Sequence, residues 1–214
     1  MKAVNQIVIV GNGISGVTCA RHIRKVDPHV KIIIVSGETD YFFSRTALMY
    51  IYMGHMKYEH TKPYADDFWS KNRIELKSGW VTQVNFDHKS LTFENGEELS
   101  YDRLVLATGS KPNKFGWPGQ DLLGVQGLYS MQDLNSMEKR TSAITRAVIV
   151  GGGLIGVEMA EMFATRKIPV TFLVREKSFW SNVLPPEEAQ LVARHIREHH
   201  IDLRLSTELS EILD

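Results

Sequence analysis

Residues 6–20 read Gln6-Ile7-Val8-Ile9-Val10-Gly11-Asn12-Gly13-Ile14-Ser15-Gly16-Val17-Thr18-Cys19-Ala20. An apolar run meets Gly-x-Gly-x-x-Gly and passes into a helical pattern, the signature of a strand that turns tightly into a helix. Each glycine has a physical reason. The first makes the turn, the second lets backbone approach a pyrophosphate, and the third lets helix and strand pack closely. The helix N-terminus then offers free N–H groups and a positive dipole end to the phosphates. Shifted by 140 positions, Arg146–Ala160 (RAVIVGGGLIGVEMA) overlies this stretch with eight of fifteen residues identical. A second apolar run follows each copy, Lys31–Val35 and Val170–Val174. The repeat predicts two βαβ units with parallel strands, so the fold class is α/β with two Rossmann-like, three-layer dinucleotide-binding units. Two Gly-rich turns with no ligand are the competing reading.

Tyr41–Trp69 holds nine of the twenty Phe, Tyr and Trp residues, interleaved with Met49, Met53 and Met56. It reads as helices packed near the first nucleotide site, with Thr61 as a helix cap and Pro63 in a first turn. From Ile74 to Leu99 apolar and polar residues alternate, and Asn95-Gly96 marks a hairpin. Arg103–Ala107 reads as a buried strand ending at Thr108-Gly109, and Lys111–Pro118 as a crossing segment. Pro186–His199 reads as an amphipathic helix, and Leu203–Leu205 as the start of another strand.

Composition removes several function classes. The 214 residues carry 25 Lys and Arg against 25 Asp and Glu, so nothing advertises the basic face of a nucleic-acid binder. One cysteine, Cys19, excludes an intramolecular disulfide and makes a cysteine-based zinc site untenable. No apolar stretch reaches the roughly 18 residues of a membrane span, and the N-terminal run ends in a glycine turn, not a cleavage site. A cytoplasmic location is expected. There is no Gly-x-x-x-x-Gly-Lys-[Ser/Thr] and no Gly-x-Ser-x-Gly, so a P-loop and a hydrolase nucleophile elbow are both absent. His195 and His199 share one helix face at a zinc-compatible spacing, but no HExxH pattern accompanies them; no metal is expected.

With these motifs quoted, the sequence resembles the FAD- and NAD(P)H-dependent pyridine nucleotide–disulfide oxidoreductases, most of all their rubredoxin reductase, ferredoxin reductase, coenzyme A-disulfide reductase and nitrite reductase flavin-module branches. The resemblance implies FAD on Gly11, Gly13, Ser15 and Gly16, a second FAD motif at Thr108 and Gly109, and an adenine contact from the backbone of Val81. It implies NAD(P)H on Gly151, Gly153, Leu154, Ile155 and Gly156, with Glu158 near the reacting rings as the catalytic candidate. It also implies an FAD-binding domain over 1–112, a crossing linker over 113–145 and an NAD(P)-binding domain over 146–214, the second nested in the first. Against that family the chain corresponds to roughly the first half, so both units are expected to be incomplete at their C-terminal ends.

The chain also departs from the pattern. The ribose-binding acid about 20 residues past the glycines aligns with Ser36 and Val174; the glutamates come two residues later, at Glu38 and Glu176. Glu38 is retained as the FAD ribose ligand. Val174-Arg175 resembles the arrangement that pairs a 2′-phosphate, with Arg175 as the bidentate cation, whereas Gly156 is the choice more typical of NADH. Both nicotinamide cofactors stay open. Thr46 stands where disulfide-type members carry a redox cysteine, and Tyr50 where electron-passing members carry a flavin-facing lysine. Arg45 matches their arginine and is a candidate partner for FAD phosphate or adenine. The expected function is hydride transfer from NAD(P)H to FAD and onward to an electron-carrier protein or small acceptor. The alternative is a non-catalytic or partly active dinucleotide-binding module or redox sensor that needs further segments or another chain. A single NAD-dependent dehydrogenase unit is a third reading. The sequence does not set the oligomeric state.

Overall fold

A computed structural model describes residues 4–214, which group into two compact units. In chain order the elements are β1 Gln6–Val10, α1 Ile14–Val26, β2 Lys31–Ser36, α2 Leu48–Tyr52, α3 Phe68–Lys71, β3 Ile74–Ser78, β4 Val81–Asn85, β5 Ser90–Phe93, β6 Glu98–Ser100, β7 Arg103–Leu106, α4 Met131–Thr141, β8 Ala147–Val150, α5 Leu154–Thr165, β9 Val170–Leu173, α6 Pro186–Glu198 and β10 Asp202–Arg204. No helix among the described residues is long and apolar enough to cross a membrane.

The first unit comprises 4–46, 57–111 and 130–132. Its four-stranded sheet has the order β3-β2-β1-β7, parallel throughout. β2 (KIIIVS) is buried on both faces, as expected of an inner strand of a parallel sheet. Ile9, Ile32 and Ile34 pack on one face with Val17 and Ala20 of α1. Val8, Ile33 and Val35 pack on the other with Leu91 and Phe93 of β5. The result is three layers: helix, parallel sheet and the antiparallel sheet β4-β5-β6. The alternating stretch 74–99 therefore divides. β3 joins the parallel sheet, Gly79 (φ 155°) redirects the chain, and the hairpin at Asn95-Gly96, with Gly96 at φ 82°, connects β5 to β6.

The second unit comprises 47–56, 112–129 and 133–214. Its parallel sheet has the order β10-β9-β8. β9 is central, with Val170, Thr171 and Phe172 buried; Ala160, Met162 and Phe163 of α5 and Ala189, Ala193 and Ile196 of α6 are also buried. β1 pairs on both sides, but its repeat partner β8 pairs only with β9 among the described residues, and Val148 and Val150 are exposed.

Two expectations for Tyr41–Trp69 need correction. Thr61 caps no helix. It closes the 3-10 turn Tyr58–Thr61, its hydroxyl donating to the Tyr58 carbonyl at 2.7 Å, and Pro63 lies in a bend. Starting a helix costs several fixed dihedrals for one bond, and here aromatic packing organises the chain instead: Tyr64 stacks on Phe68 with ring centres 4.2 Å apart. The second correction concerns α2, which belongs to the second unit. There Tyr52 is fully buried, edge-on to Phe163 with ring centres 5.9 Å apart, while Arg166 Nε donates to its carbonyl at 2.8 Å. The expected crossing segment also contains α4, whose Leu134 and Met137 are buried. Its polar remainder concealed that short apolar face.

Candidate functional site

Ligands of open parallel sheets bind outside the carboxyl ends of the strands. In the first unit four strands end together there. Gly11 N–H donates to the Val35 carbonyl, Ala107 N–H to Val10, and Gly79 N–H to Ser36, each at 2.8 Å. These bonds carry the pairing one residue past the strands and gather the segments containing Gly11–Gly16, Glu38, Val81 and Thr108-Gly109.

The glycines in the first turn have distinct surroundings. Gly11 sits at φ 115°, and a Cβ there would lie 2.1 Å from the Ala107 carbonyl oxygen. A Cβ on Gly16 would lie 2.0 Å from the Gly11 oxygen and 3.2 Å from the Ile9 side chain, so this glycine lets α1 close on β1. At Gly13 a Cβ would meet nothing within 4 Å. Packing explains the first and third glycines but not the second, which faces space. Gly13 is also the N-cap of α1, without a side-chain cap, and no acid occupies the first turn. In the second unit Gly151 keeps the same φ of 115°, but a Cβ there would meet nothing within 4 Å; Gly153 also faces open space, and a Cβ on Gly156 would lie 2.5 Å from the Gly151 oxygen and 2.7 Å from Phe172. α5 is likewise uncapped by a side chain and free of acid, whereas α6 carries Glu187 and Glu188 in its first turn. Both helices that follow the glycine turns therefore leave their first N–H groups for an anion. That is the cradle a pyrophosphate needs. Ser15, Leu154 and Ile155 are exposed on those first turns.

Beyond β2, Glu38 is held firmly. Its carboxylate accepts from Arg45 Nη1 at 2.9 Å and Nη2 at 2.6 Å, and from the Met131 N–H at 2.9 Å. The Glu38 carbonyl accepts from the Gln132 side chain at 2.9 Å. Arg45, expected from the sequence as a partner for FAD phosphate or adenine, thus pairs with Glu38. Asn12, inside the first turn, is buried and donates from its amide to the Thr39 carbonyl at 3.0 Å, fixing the turn to the same loop. Sequence reading passed over Asn12 although it lies within the motif. No local signal could have linked Met131 and Gln132 to residue 38. Thr108 and Gly109 (φ 73°) are exposed just past β7, and Val81 opens β4, three residues beyond the end of β3. Thr46 is exposed, its hydroxyl 3.1 Å from that of Ser44.

In the second unit Glu158 lies on the second turn of α5, half-buried, with no hydrogen bond or ion pair among the described residues. A Cβ on Gly152 would lie 2.7 Å from Val174, so the turn packs directly on the end of β9. Arg175 follows, 74% exposed in its side chain, and Nε donates to Glu176 at 2.8 Å. That bond raises the Arg175 pKa and lowers that of Glu176. Cys19 is partly buried against the core under α1. Among the described residues no cluster of three or more His, Cys, Asp or Glu side chains is disposed to hold a metal.

Two parallel-sheet units, each with an open glycine turn feeding an uncapped helix, define a dinucleotide-binding α/β protein. The pyridine nucleotide-disulphide oxidoreductase family profile matches residues 5–214, and the chain belongs to that family. It is 32% identical over 169 residues to the ferredoxin reductase component of chlorobenzene dioxygenase from Cupriavidus sp. (strain PS12), covering 78% of this chain and 41% of the relative. It is 27% identical over 208 residues to rubredoxin-NAD(+) reductase from Pseudomonas putida, covering 96% and 54%. Among solved structures, the covalent putidaredoxin reductase–putidaredoxin complex superposes with a TM-score of 0.81 at 27% identity, over 99% of this chain and 52% of that one. The chain spans about half the length of these relatives or less.

Proposed function

We propose that the chain is the dinucleotide-binding part of an FAD-dependent NAD(P)H oxidoreductase that delivers electrons to a carrier protein or a small acceptor. The carrying observation is the pair of open positions at Gly13 and Gly153, each beside helix N–H groups that no side chain caps. In the first unit Gly11, Gly13, Ser15 and Gly16 hold the FAD pyrophosphate, Glu38 the ribose, and Val81, Thr108 and Gly109 the remaining edge. Arg45 serves by fixing Glu38. In the second unit Gly151, Gly153, Leu154, Ile155 and Gly156 hold NAD(P)H, and Arg175 meets a 2′-phosphate where one is present. The bound nicotinamide and flavin supply hydride and electron transfer; the protein supplies position and electrostatics. Glu158, uncommitted and half-buried, is the carboxylate available at the reacting end.

Thr46 in place of a cysteine leaves no thiolate to relay electrons, which favours direct delivery to an external acceptor over disulfide reduction. The named relatives include reductases of ferredoxin and rubredoxin, and one solved relative is joined to putidaredoxin. A cytoplasmic location is part of the same reading, supported by the single cysteine.

The absorbance spectrum of the purified protein tests this reading. A flavin band that bleaches anaerobically with NADH or NADPH supports it. A colourless protein that takes up no added FAD and turns over no dye removes the enzyme assignment. The reading that then stands is a module requiring further polypeptide, favoured by Thr46 and Tyr50 in place of the family's cysteine and lysine.

A further inference from the structure

Trp80 lies between β3 and β4, directly before Val81. Gly79 N–H donates to the Ser36 carbonyl at 2.8 Å, which fixes the chain leaving β3 against the loop leaving β2. A Cβ on Gly79 would lie 2.6 Å from Phe93, and the Trp80 carbonyl accepts from Glu94 N–H at 2.9 Å, so the backbone carrying the indole is held on both sides. The ring itself rests on Gly37. A Cβ there would lie 2.0 Å from Cε3 and 2.9 Å from both Cδ2 and Cζ3, all atoms of the six-membered ring. The rest is open: Trp80 is 58% exposed, against 4% for Trp69.

A large aromatic group, immobilised on one side and bare on the other, leaves apolar area in water that a flat ligand would cover. Its supporting residue, Gly37, directly precedes Glu38. Building on the assignment of Glu38 to a ribose, we propose that the Trp80 indole is the stacking platform for the purine base of the dinucleotide held by the first unit. Gly37 is required because any side chain there would displace the indole. Stacking of a base on an aromatic face needs no hydrogen-bond code. The platform therefore strengthens binding of adenine-bearing ligands and does nothing for ligands without a base.

The test is calorimetric titration of the protein and of Trp80→Leu and Trp80→Phe with FAD, ADP and FMN, together with tryptophan fluorescence. Trp80→Leu should weaken FAD and ADP about tenfold and leave FMN unchanged. Trp80→Phe should retain most of the affinity. ADP should quench the intact protein's fluorescence, and Trp80→Phe should abolish that change. Equal affinity of Trp80→Leu and the intact protein for FAD and ADP overturns the proposal while leaving the flavoprotein reading in place. An equal loss for FMN also overturns it, because the effect would be structural. Binding of ADP that depends on Trp80, with no binding of flavin, sustains the platform and removes the flavoprotein reading. A chain that binds neither ligand loses both.

Discussion

Arg45 grips both oxygens of the Glu38 carboxylate, at 2.9 and 2.6 Å, across seven residues of sequence. The two side chains are 31% and 17% exposed, so the pair is screened, but less than a surface pair. Its geometry is a bidentate fork that an ammonium cannot reproduce. Arg45→Gln should lower unfolding stability by roughly 1 kcal/mol and weaken FAD several-fold, because Glu38 then rests on the Met131 N–H without its guanidinium. Arg45→Lys should recover little of either. Urea unfolding and FAD titration of the three proteins decide the matter; unchanged FAD affinity in Arg45→Gln would separate the pair from the binding site.

Two glycines of the first turn, Gly13 and Gly16, should fail in different ways. Gly13 has φ −76° and ψ −176°, which any residue adopts, and open space at its Cβ. Gly13→Val should therefore leave the thermal midpoint close to that of the intact protein and abolish FAD uptake. A Cβ on Gly16 would overlap the Gly11 oxygen at 2.0 Å, so Gly16→Ala should destabilise the fold by about 1–3 kcal/mol. Calorimetry and flavin content on the same preparations test both. A Gly13→Val protein that still binds FAD would show that the open position is not the pyrophosphate cradle.

These contrasts show what one sequence reveals. The β1–α1 and β8–α5 units were legible because tight turn, close packing and ligand approach each demand glycine at fixed spacing, and the repeat supplied a second copy. The parallel strands were legible from β-rich apolar runs such as Ile32–Val35. The interior of Tyr41–Trp69 was not, because its aromatic residues pack on partners distant in sequence: Tyr52 on Phe163, and Arg166 over the Tyr52 ring at 4.5 Å. Helix α4 escaped because only Leu134 and Met137 mark its buried face. The Glu38 clamp escaped in part because Met131 lies 93 residues away. Trp80 stood beside Val81 in plain view, but its significance depends on Gly37, which only the fold brings beneath it.

With Arg175 proposed to meet a 2′-phosphate, cofactor preference should respond to the Arg175–Glu176 pair. Glu176 holds the guanidinium at 2.8 Å and would compete with a 2′-phosphate for it. Both groups are exposed, so the competition is weak and depends on salt. Glu176→Gln should raise kcat/KM for NADPH several-fold relative to NADH, and Arg175→Ala should shift the ratio in the opposite direction. Steady-state dye reduction with each nicotinamide at two ionic strengths provides the measurement. Ratios unmoved in both variants would place cofactor choice elsewhere.

Tyr52 links the stability of the second unit to alkaline pH. Its ring is fully buried, and burial is the main reason its hydroxyl pKa is held above the ordinary 10.0; the charge of Arg166 pulls the other way. Thr141 donates its own hydroxyl proton to the Met137 carbonyl at 2.9 Å, so it accepts from Tyr52, at 2.7 Å. The folded protein thus keeps a proton that the unfolded chain releases near pH 10. The stabilisation is complete below that pH and is lost as pH rises toward and through the folded value. Tyr52→Phe should cost about 1 kcal/mol at neutral pH by removing the bond to Thr141, and should make the alkaline fall in stability shallower. Tyr58, also raised mainly by burial, keeps its own contribution in that variant. Urea unfolding from neutral to strongly alkaline pH, with tyrosinate absorbance recorded alongside, measures both effects. If the intact protein and Tyr52→Phe lost stability in parallel above pH ~10, the alkaline transition would belong to another group.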